Sequence, residues 1–238
     1  MSPEIIVLIS TAATIAFVHT LMGPDHYLPF VAMGKARGWS LRRMLAVAAV
    51  CGLGHIAGSI ALGFVGIGLQ LQLNSLEWFE GLRGDVAAWV LLAFGLVYMV
   101  WGLRKAFRNK SHSHSHRHDG LVHSHDHSHQ KEHTHVHDKA EGAQGTFVPW
   151  AIFIVFVLGP CEPLIPLLMY PAAKESVTGM VMVTGVFGLV TMLTMLGAVA
   201  IVGVGLNKIK LPRMERFGHA MAGATLASCG SAIVFLGL

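Results

Sequence analysis

A Gly-Pro pair that interrupts a helix occurs twice in this chain, each time inside sequence apolar enough to sit in a lipid bilayer. Residues 23–26 read Gly-Pro-Asp-His, and residues 159–162 read Gly-Pro-Cys-Glu. Proline lacks an N–H group and its ring clashes with the carbonyl four residues back, so each pair should break its helix. Irregular backbone at membrane depth is tolerated only where protein or a watery cavity surrounds it, and ionisable side chains there are costly. The two segments therefore predict a binding site within the membrane.

The prolines of the second segment also identify backbone groups that lose their helical partners. In an unbroken helix, residues 160, 163 and 166 would donate hydrogen bonds to the carbonyls of Phe156, Gly159 and Glu162. All three positions are proline, so none can donate. We expect these three carbonyls to lack their helical donors.

The composition predicts an all-α polytopic membrane protein. Of the 238 residues, 53% are hydrophobic and 13% are charged, and the mean hydropathy is +0.59. Window hydropathy indicates six spans near or above the roughly 20 residues that a crossing needs. They cover residues 5–22, 44–71, 86–103, 147–170, 177–206 and 217–238.

The two halves of the chain resemble each other at an offset of about 135 residues. Besides the Gly-Pro pairs, Val-Gly-Ile-Gly-Leu at 65–69 matches Val-Gly-Val-Gly-Leu at 202–206. We therefore predict a three-helix repeat over 1–110 and a second over 146–238, joined by a loop over 111–145. Because each repeat has an odd number of spans, the two should lie in the membrane with opposite orientations. Such an inverted repeat, with helices 1 and 4 broken, places a substrate site near the midplane.

Basic residues cluster in the loops after the first, third and fifth spans. They are Lys35, Arg37, Arg42, Arg43, Arg104, Lys105, Arg108, Lys110, Lys208, Lys210, Arg213 and Arg216. By the positive-inside rule these loops are cytoplasmic and both termini lie outside, in a cell (inner or plasma) membrane. The charges are divided among loop ends and form no compact basic domain, so nucleic-acid binding is not expected.

The loop over 111–145 carries eleven histidines, mostly at alternate positions. They are His112, His114, His116, His118, His123, His125, His127, His129, His133, His135 and His137. So polar a tract cannot bury a core, which predicts disorder in the absence of metal. Clustered neutral imidazoles bind nickel, cobalt, copper and zinc, so the loop is expected to collect such ions.

The first break predicts a nitrogen-and-oxygen ligand set. His19 and His26 are seven residues apart, which is two turns of an unbroken helix, and Asp25 adds a carboxylate. This combination suits a first-row divalent cation. His55, in the second span, is open to two interpretations, as a further ligand or as a structural histidine held by a neighbour.

The second break adds sulfur and carboxylate. Cys161 and Glu162 occupy the place that Asp25 and His26 have in the first half. Together with imidazoles, they would favour nickel, cobalt, copper or zinc over magnesium or calcium. The chain contains no phosphate loop of the Walker kind, no nucleophile elbow and no catalytic triad, so we expect a transporter and not an enzyme.

These motifs resemble those of a metal-transporter family. His19 followed by Asp25 and His26 resembles the first signature of the nickel/cobalt transporters (NiCoT), and Gly54-His55 resembles the short histidine motif of their next helix. The histidine-rich loop is similar to that of related nickel/cobalt exporters. The layout looks like the urease-accessory UreH-like membrane domain of the LysE-type superfamily. The resemblance implies that His19, Asp25, His26 and His55 select the metal.

A second resemblance concerns Cys161. Gly-Pro-Cys followed by two further prolines is similar to the Pro-Cys helix break of the CcdA/DsbD thiol-electron carriers. Those proteins use one such cysteine from each half as a reversible disulfide. Here the first half has Asp25 in the equivalent place.

The sequence thus predicts a six-span secondary transporter for nickel or cobalt, with Zn²⁺ and Cu⁺ as other possible cargoes. No permanently bound cofactor is expected, and the partners are the divalent ion and the lipid bilayer. A cytoplasmic histidine loop that gathers surplus ion favours efflux over uptake. The alternatives are a CcdA/DsbD-like thiol-redox carrier and a small-solute exporter of the LysE type.

Overall fold

The computed structural model of the chain describes residues 3–70, 72–108, 112–118, 121–127, 142–159, 163–174, 176–208 and 216–237. Within these ranges the chain forms eight α-helices, a 3₁₀ turn at Pro24–His26 and two short strands. The helices are α1 (Pro3–Met22), α2 (Leu28–Ala36), α3 (Leu41–Gly68), α4 (Leu73–Arg108), α5 (Gly142–Leu158), α6 (Leu164–Ala173), α7 (Val177–Lys208) and α8 (Gly218–Leu236).

Five of these helices are long and apolar enough to cross a membrane. They are α1, α3, α4, α8 and the Val177–Leu206 part of α7. The protein is therefore an integral, polytopic membrane protein built from helices, as the composition predicts. The remaining predicted span, residues 147–170, falls on α5 and α6, which have 17 and 10 residues and are too short to cross singly.

Helical structure is interrupted around both Gly-Pro pairs. In the first half, α1 ends at Met22, Gly23 is extended with φ −83° and ψ 93°, and the 3₁₀ turn leads into α2. In the second half, α5 ends at Leu158 and α6 begins at Leu164. The end of α5 faces the first break, since the rings of Phe30 in α2 and Phe156 in α5 have centroids 4.6 Å apart.

The predicted start of the third span is wrong by more than a helical turn. Hydropathy places it at residue 86, whereas α4 begins at Leu73 and runs for 36 residues. The predicted span excludes Glu80, Arg83 and Asp85, because charged side chains lower the hydropathy averaged over a window. In the folded helix Glu80 and Arg83 form an ion pair, so the helix continues through them.

The histidine-rich loop also differs from the prediction of disorder. Strands β1 (His112–His118) and β2 (Leu121–His127) pair antiparallel, with His112 opposite His127 and His118 opposite Leu121. In the sequence the two strands are separated by Asp-Gly, a dipeptide typical of two-residue hairpins. The last four histidines of the loop, at 129, 133, 135 and 137, lie outside the described residues.

Glycines bring α4 and α8 into backbone contact. A Cβ atom added at Gly95 would collide with the backbone nitrogen of Ala227, and one added at Gly230 would lie 2.6 Å from the backbone nitrogen of Leu92. Small residues that let helix backbones approach are a usual means of association in membranes, where burial of apolar surface gives little driving force.

This packing predicts a large difference between two Gly→Ala substitutions. Gly95→Ala should destabilise the protein by about 1–3 kcal/mol, because its methyl group must push α8 away. Gly197→Ala is the matched control in α7, since nothing lies within 4 Å of its Cβ position. It should be neutral or stabilising, because alanine favours helices over glycine. Thermal unfolding of the detergent-solubilised variants measures both, and equal melting temperatures would contradict the packing.

Candidate functional site

A cavity of about 450 Å³ lies between the first break and the end of α5. Its polar lining includes His19, Asp25, His26 and His55 from the first half. Apolar side chains such as Leu91, Val155 and Ile233 complete the lining, together with Gly159 and Pro163. Both helix breaks therefore border the same cavity.

Three imidazole rings form a row beside this cavity. The ring centroids of His19 and His26 are 5.0 Å apart and those of His26 and His55 are 5.6 Å apart, in both cases edge to face. His26 and His55 are each 4% exposed. All three Nε2 atoms are buried without a hydrogen-bond partner among the described residues. Buried polar atoms are nearly always paired, so these nitrogens are positioned for water or a polar group in the cavity.

The first break holds His26 by local contacts. Its Nδ1 atom lies 3.1 Å from the carbonyl oxygen of Gly23 and 3.3 Å from a carboxylate oxygen of Asp25. A Cβ atom at Gly23 would be only 2.5 Å from the same nitrogen. The absence of a side chain at Gly23 is therefore what allows His26 to fold back over the turn.

The carbonyls at the end of α5 accept hydrogen bonds from side chains of other helices, and that of Phe156 also accepts one from the backbone N–H of Gly159 at 3.1 Å. His55 Nδ1 lies 3.1 Å from the carbonyl oxygen of Phe156. Arg83 Nη2 donates to the carbonyl of Gly159 at 2.8 Å and to that of Val157 at 3.2 Å. The carbonyls of Phe156 and Gly159 are two of the three that the prolines deprive of helical donors, and side chains supply donors to both. Glu162, the third, lies outside the described residues.

This contact fixes the tautomer of His55. A carbonyl oxygen can only accept a hydrogen bond, so Nδ1 of His55 must carry the proton and donate to Phe156. In the neutral ring Nε2 is then the unprotonated acceptor, and it is buried beside the cavity without a partner among the described residues. His55 therefore supports the end of α5 through Nδ1, and its interpretation as a ligand depends on Nε2.

Arg83 and Glu80 were missed as site residues in the sequence. Arg83 Nη1 donates to Glu80 at 2.9 Å, and Nη2 lies 3.4 Å from the hydroxyl of Ser59. Glu80 is completely buried. The available signal was an acidic and a basic residue three positions apart, which places them on one face of a helix. Window hydropathy begins the third span at residue 86 and so places both residues outside the membrane spans.

The structure brings some predicted site residues together and leaves others undescribed. His19, Asp25, His26 and His55 border one cavity. Cys161 and Glu162 lie outside the described residues. In the described part of the chain, no three His, Cys, Asp or Glu side chains form a group that could hold a metal ion.

Comparison with known proteins identifies the family. Residues 28–231 match the family described as cytochrome C biogenesis protein transmembrane region. The chain belongs to this family. No curated protein and no solved structure gives a significant match.

Membership in the cytochrome c biogenesis family overturns the metal-transport prediction. The assignment to nickel/cobalt transporters, the nickel or cobalt cargo and the metal-binding role are wrong. They were based mainly on the spacing of His19, Asp25 and His26, and these residues precede the matched region. His55, the other residue of that motif set, is engaged by Phe156. The match supports the thiol-carrier alternative and the integral membrane location.

The role of His55 predicts a difference between two substitutions. His55→Ala should lower the free energy of unfolding by about 0.5–1.5 kcal/mol, because the carbonyl of Phe156 loses its side-chain donor and keeps only the backbone N–H of Gly159. His55→Asn should retain most of the stability, because the asparagine amide nitrogen is as many bonds from Cα as Nδ1 is and can donate. Thermal unfolding in detergent is the measurement. Equal losses in both variants would show that this hydrogen bond does not matter.

Proposed function

We propose that the protein carries reducing equivalents across the membrane by thiol–disulfide exchange at Cys161. The observation that carries this proposal is the family match over residues 28–231, which includes the Gly-Pro-Cys break of the second half. Gly159 and Pro163 line the cavity. In the sequence, they lie two positions before and two positions after Cys161. A partner's sulfur entering the cavity would thus approach the chain next to this cysteine.

The proposed architecture has six spans in two inverted repeats. Span one is α1 with the 3₁₀ turn and α2, and span four is α5 with α6. Several helix contacts support the repeat, because they have counterparts: α1 packs on α7 as α5 packs on α3, and α2 packs on α8 as α6 packs on α4. In this arrangement the basic loops face the cytoplasm and the termini lie outside.

The contact between α4 and α8 gives residue-level support for this symmetry. Adding the offset of 135 to Leu92 gives 227, and adding it to Gly95 gives 230. The close approach of Gly95 to Ala227 therefore becomes the approach of Gly230 to Leu92, and both are observed. A reciprocal contact of this kind is what a two-fold axis between equivalent helices produces.

The proposed chemistry needs one cysteine in this chain and two dithiol partners. The Cys161 thiolate attacks the disulfide of an oxidised partner on one side, forming a mixed disulfide and releasing one partner thiolate. A thiolate of a reduced dithiol partner on the other side then attacks the Cys161 sulfur and releases the first partner fully reduced. The second thiol of that dithiol closes its own disulfide and frees Cys161. Two electrons pass from one partner to the other, and the two protons lost by one are gained by the other.

The other two cysteines of the chain are poorly placed to assist. Cys51 and Cys229 are free thiols, 1% and 4% exposed, in the same apolar cluster as Phe30 and Phe156. Thiols buried in apolar surroundings are inert, because the thiolate is the reactive form. In the first break Asp25 cannot form a disulfide. The second thiol of each exchange therefore comes from the partner.

This proposal predicts that one cysteine carries the activity. In proteoliposomes with a reduced dithiol protein outside and an oxidised one inside, the wild type should transfer reducing equivalents. Cys161→Ser should reduce transfer to the level of empty liposomes, since it removes the sulfur that forms the mixed disulfide. Cys51→Ser and Cys229→Ser are the matched controls and should retain transfer.

The intermediate provides a second measurement. Acid quenching followed by non-reducing electrophoresis and mass spectrometry should trap a disulfide between Cys161 and the partner. Undiminished transfer by Cys161→Ser would rule out the proposal.

A further inference from the structure

We infer that Arg83, held by Glu80, is a positioning residue that fixes the end of α5 and thereby sets the rate of exchange at Cys161. This inference rests on the proposed function for its chemistry. Its geometric basis is independent of that function and consists of described residues only.

Two side chains donate hydrogen bonds to the last four carbonyls before the second break. His55 donates to the carbonyl of Phe156, and Arg83 donates to those of Val157, Leu158 and Gly159, at 3.2, 3.4 and 2.8 Å. The last four carbonyls of any helix lack partners within the helix. Here Pro160 and Pro163 also remove the donors that continuation of the chain would have supplied. Arg83 therefore replaces the missing turn of helix.

Arginine suits this task for a geometric reason. Its guanidinium group has five N–H donors in a rigid plane, spread over three nitrogens. Nε serves Leu158, Nη1 serves Glu80, and Nη2 serves Gly159, Val157 and the hydroxyl of Ser59. A lysine ammonium group has three donors on one nitrogen and cannot span these acceptors.

The residues around Arg83 hold its guanidinium group in one position. A Cβ atom at Gly58 would lie 3.4 Å from Nη2 of Arg83 and 3.3 Å from the carbonyl oxygen of Val157, so the glycine leaves room for this contact. Glu80 balances the positive charge from a fully buried site. An ion pair at this depth is costly to desolvate, and such groups in membrane spans usually serve function.

The link to Cys161 follows from the chain. Gly159, whose carbonyl takes the shortest of the Arg83 hydrogen bonds, precedes Cys161 by two residues. Loss of the anchor should let the end of α5 shift, so that the cysteine meets an incoming disulfide in an unproductive orientation.

The test measures the exchange rate of each cysteine separately. Full-length protein in lipid nanodiscs reacts with 4,4′-dithiodipyridine, a small neutral disulfide, in three backgrounds that each keep one cysteine. Arg83→Gln should slow exchange at Cys161 by about tenfold, a factor that corresponds to about 1.4 kcal/mol. Arg83→Lys keeps the positive charge but loses the planar group of five donors. Its exchange rate at Cys161 should lie between those of the wild type and Arg83→Gln. Arg42→Gln, at an exposed position at the start of α3, is the control and should match the wild type.

The rates at Cys51 and Cys229 distinguish positioning from general loosening. They should stay unchanged in Arg83→Gln, whereas a destabilised protein would alter all three. If Arg83→Gln does not fold, Arg83→Lys must still slow Cys161 alone. An unchanged or faster rate at Cys161, or an equal change at all three cysteines, overturns the inference.

The outcome separates this inference from the proposed function. If Cys161 depends on Arg83 in nanodiscs but forms no mixed disulfide with partners, the positioning role holds and the carrier function fails. If mixed disulfides form in Arg83→Gln as fast as in the wild type, the carrier function holds and the positioning role fails.

Discussion

The central constraint on this structure is that a bilayer offers no water to backbone groups that lose their helical partners. Two Gly-Pro breaks create such groups, and each half meets the need differently. The backbone groups of the first break pair locally: the N–H of His26 donates to the carbonyl of Gly23 and that of Tyr27 to the carbonyl of Pro24, which makes a 3₁₀ turn. The second break depends on side chains from α3 and α4. The cavity between the breaks is therefore held by the packing of both halves.

This difference explains which parts of the fold the sequence could predict. Helices, their breaks and the carbonyls of Phe156 and Gly159 follow from local rules on proline and hydropathy, and the structure agrees with them. The donors to those carbonyls could not be predicted, because His55 and Arg83 are 101 and 76 residues away from their acceptors. Pairing at such separations depends on how helices pack. The same cause hid the continuation of α4 through Glu80, since a charge neutralised by a folded neighbour still lowers window hydropathy.

The site shows how a correct grouping of residues can suggest the wrong chemistry. His19, Asp25, His26 and His55 do border one cavity. The step from this grouping to a metal cargo was based on residue type and spacing, and the family match overturns it. In the structure, Nδ1 of His55 contacts Phe156 and Nδ1 of His26 contacts Gly23 and Asp25, so each of these rings has only Nε2 without a partner among the described residues. Residue type and spacing fix the available donor atoms, whereas competition from the backbone becomes visible only in three dimensions.

In the proposed repeat, Asp25 and Cys161 occupy equivalent places in the sequence of the two halves, so the two breaks cannot be joined by a disulfide. Exchange through one sulfur then requires that the same atom be reached in turn by partners on both sides of the membrane. The end of α5, just before Cys161 in the sequence, is held by donors from two neighbouring helices. Small shifts of those neighbours would move this end without breaking any long helix, and inverted repeats commonly move in this way.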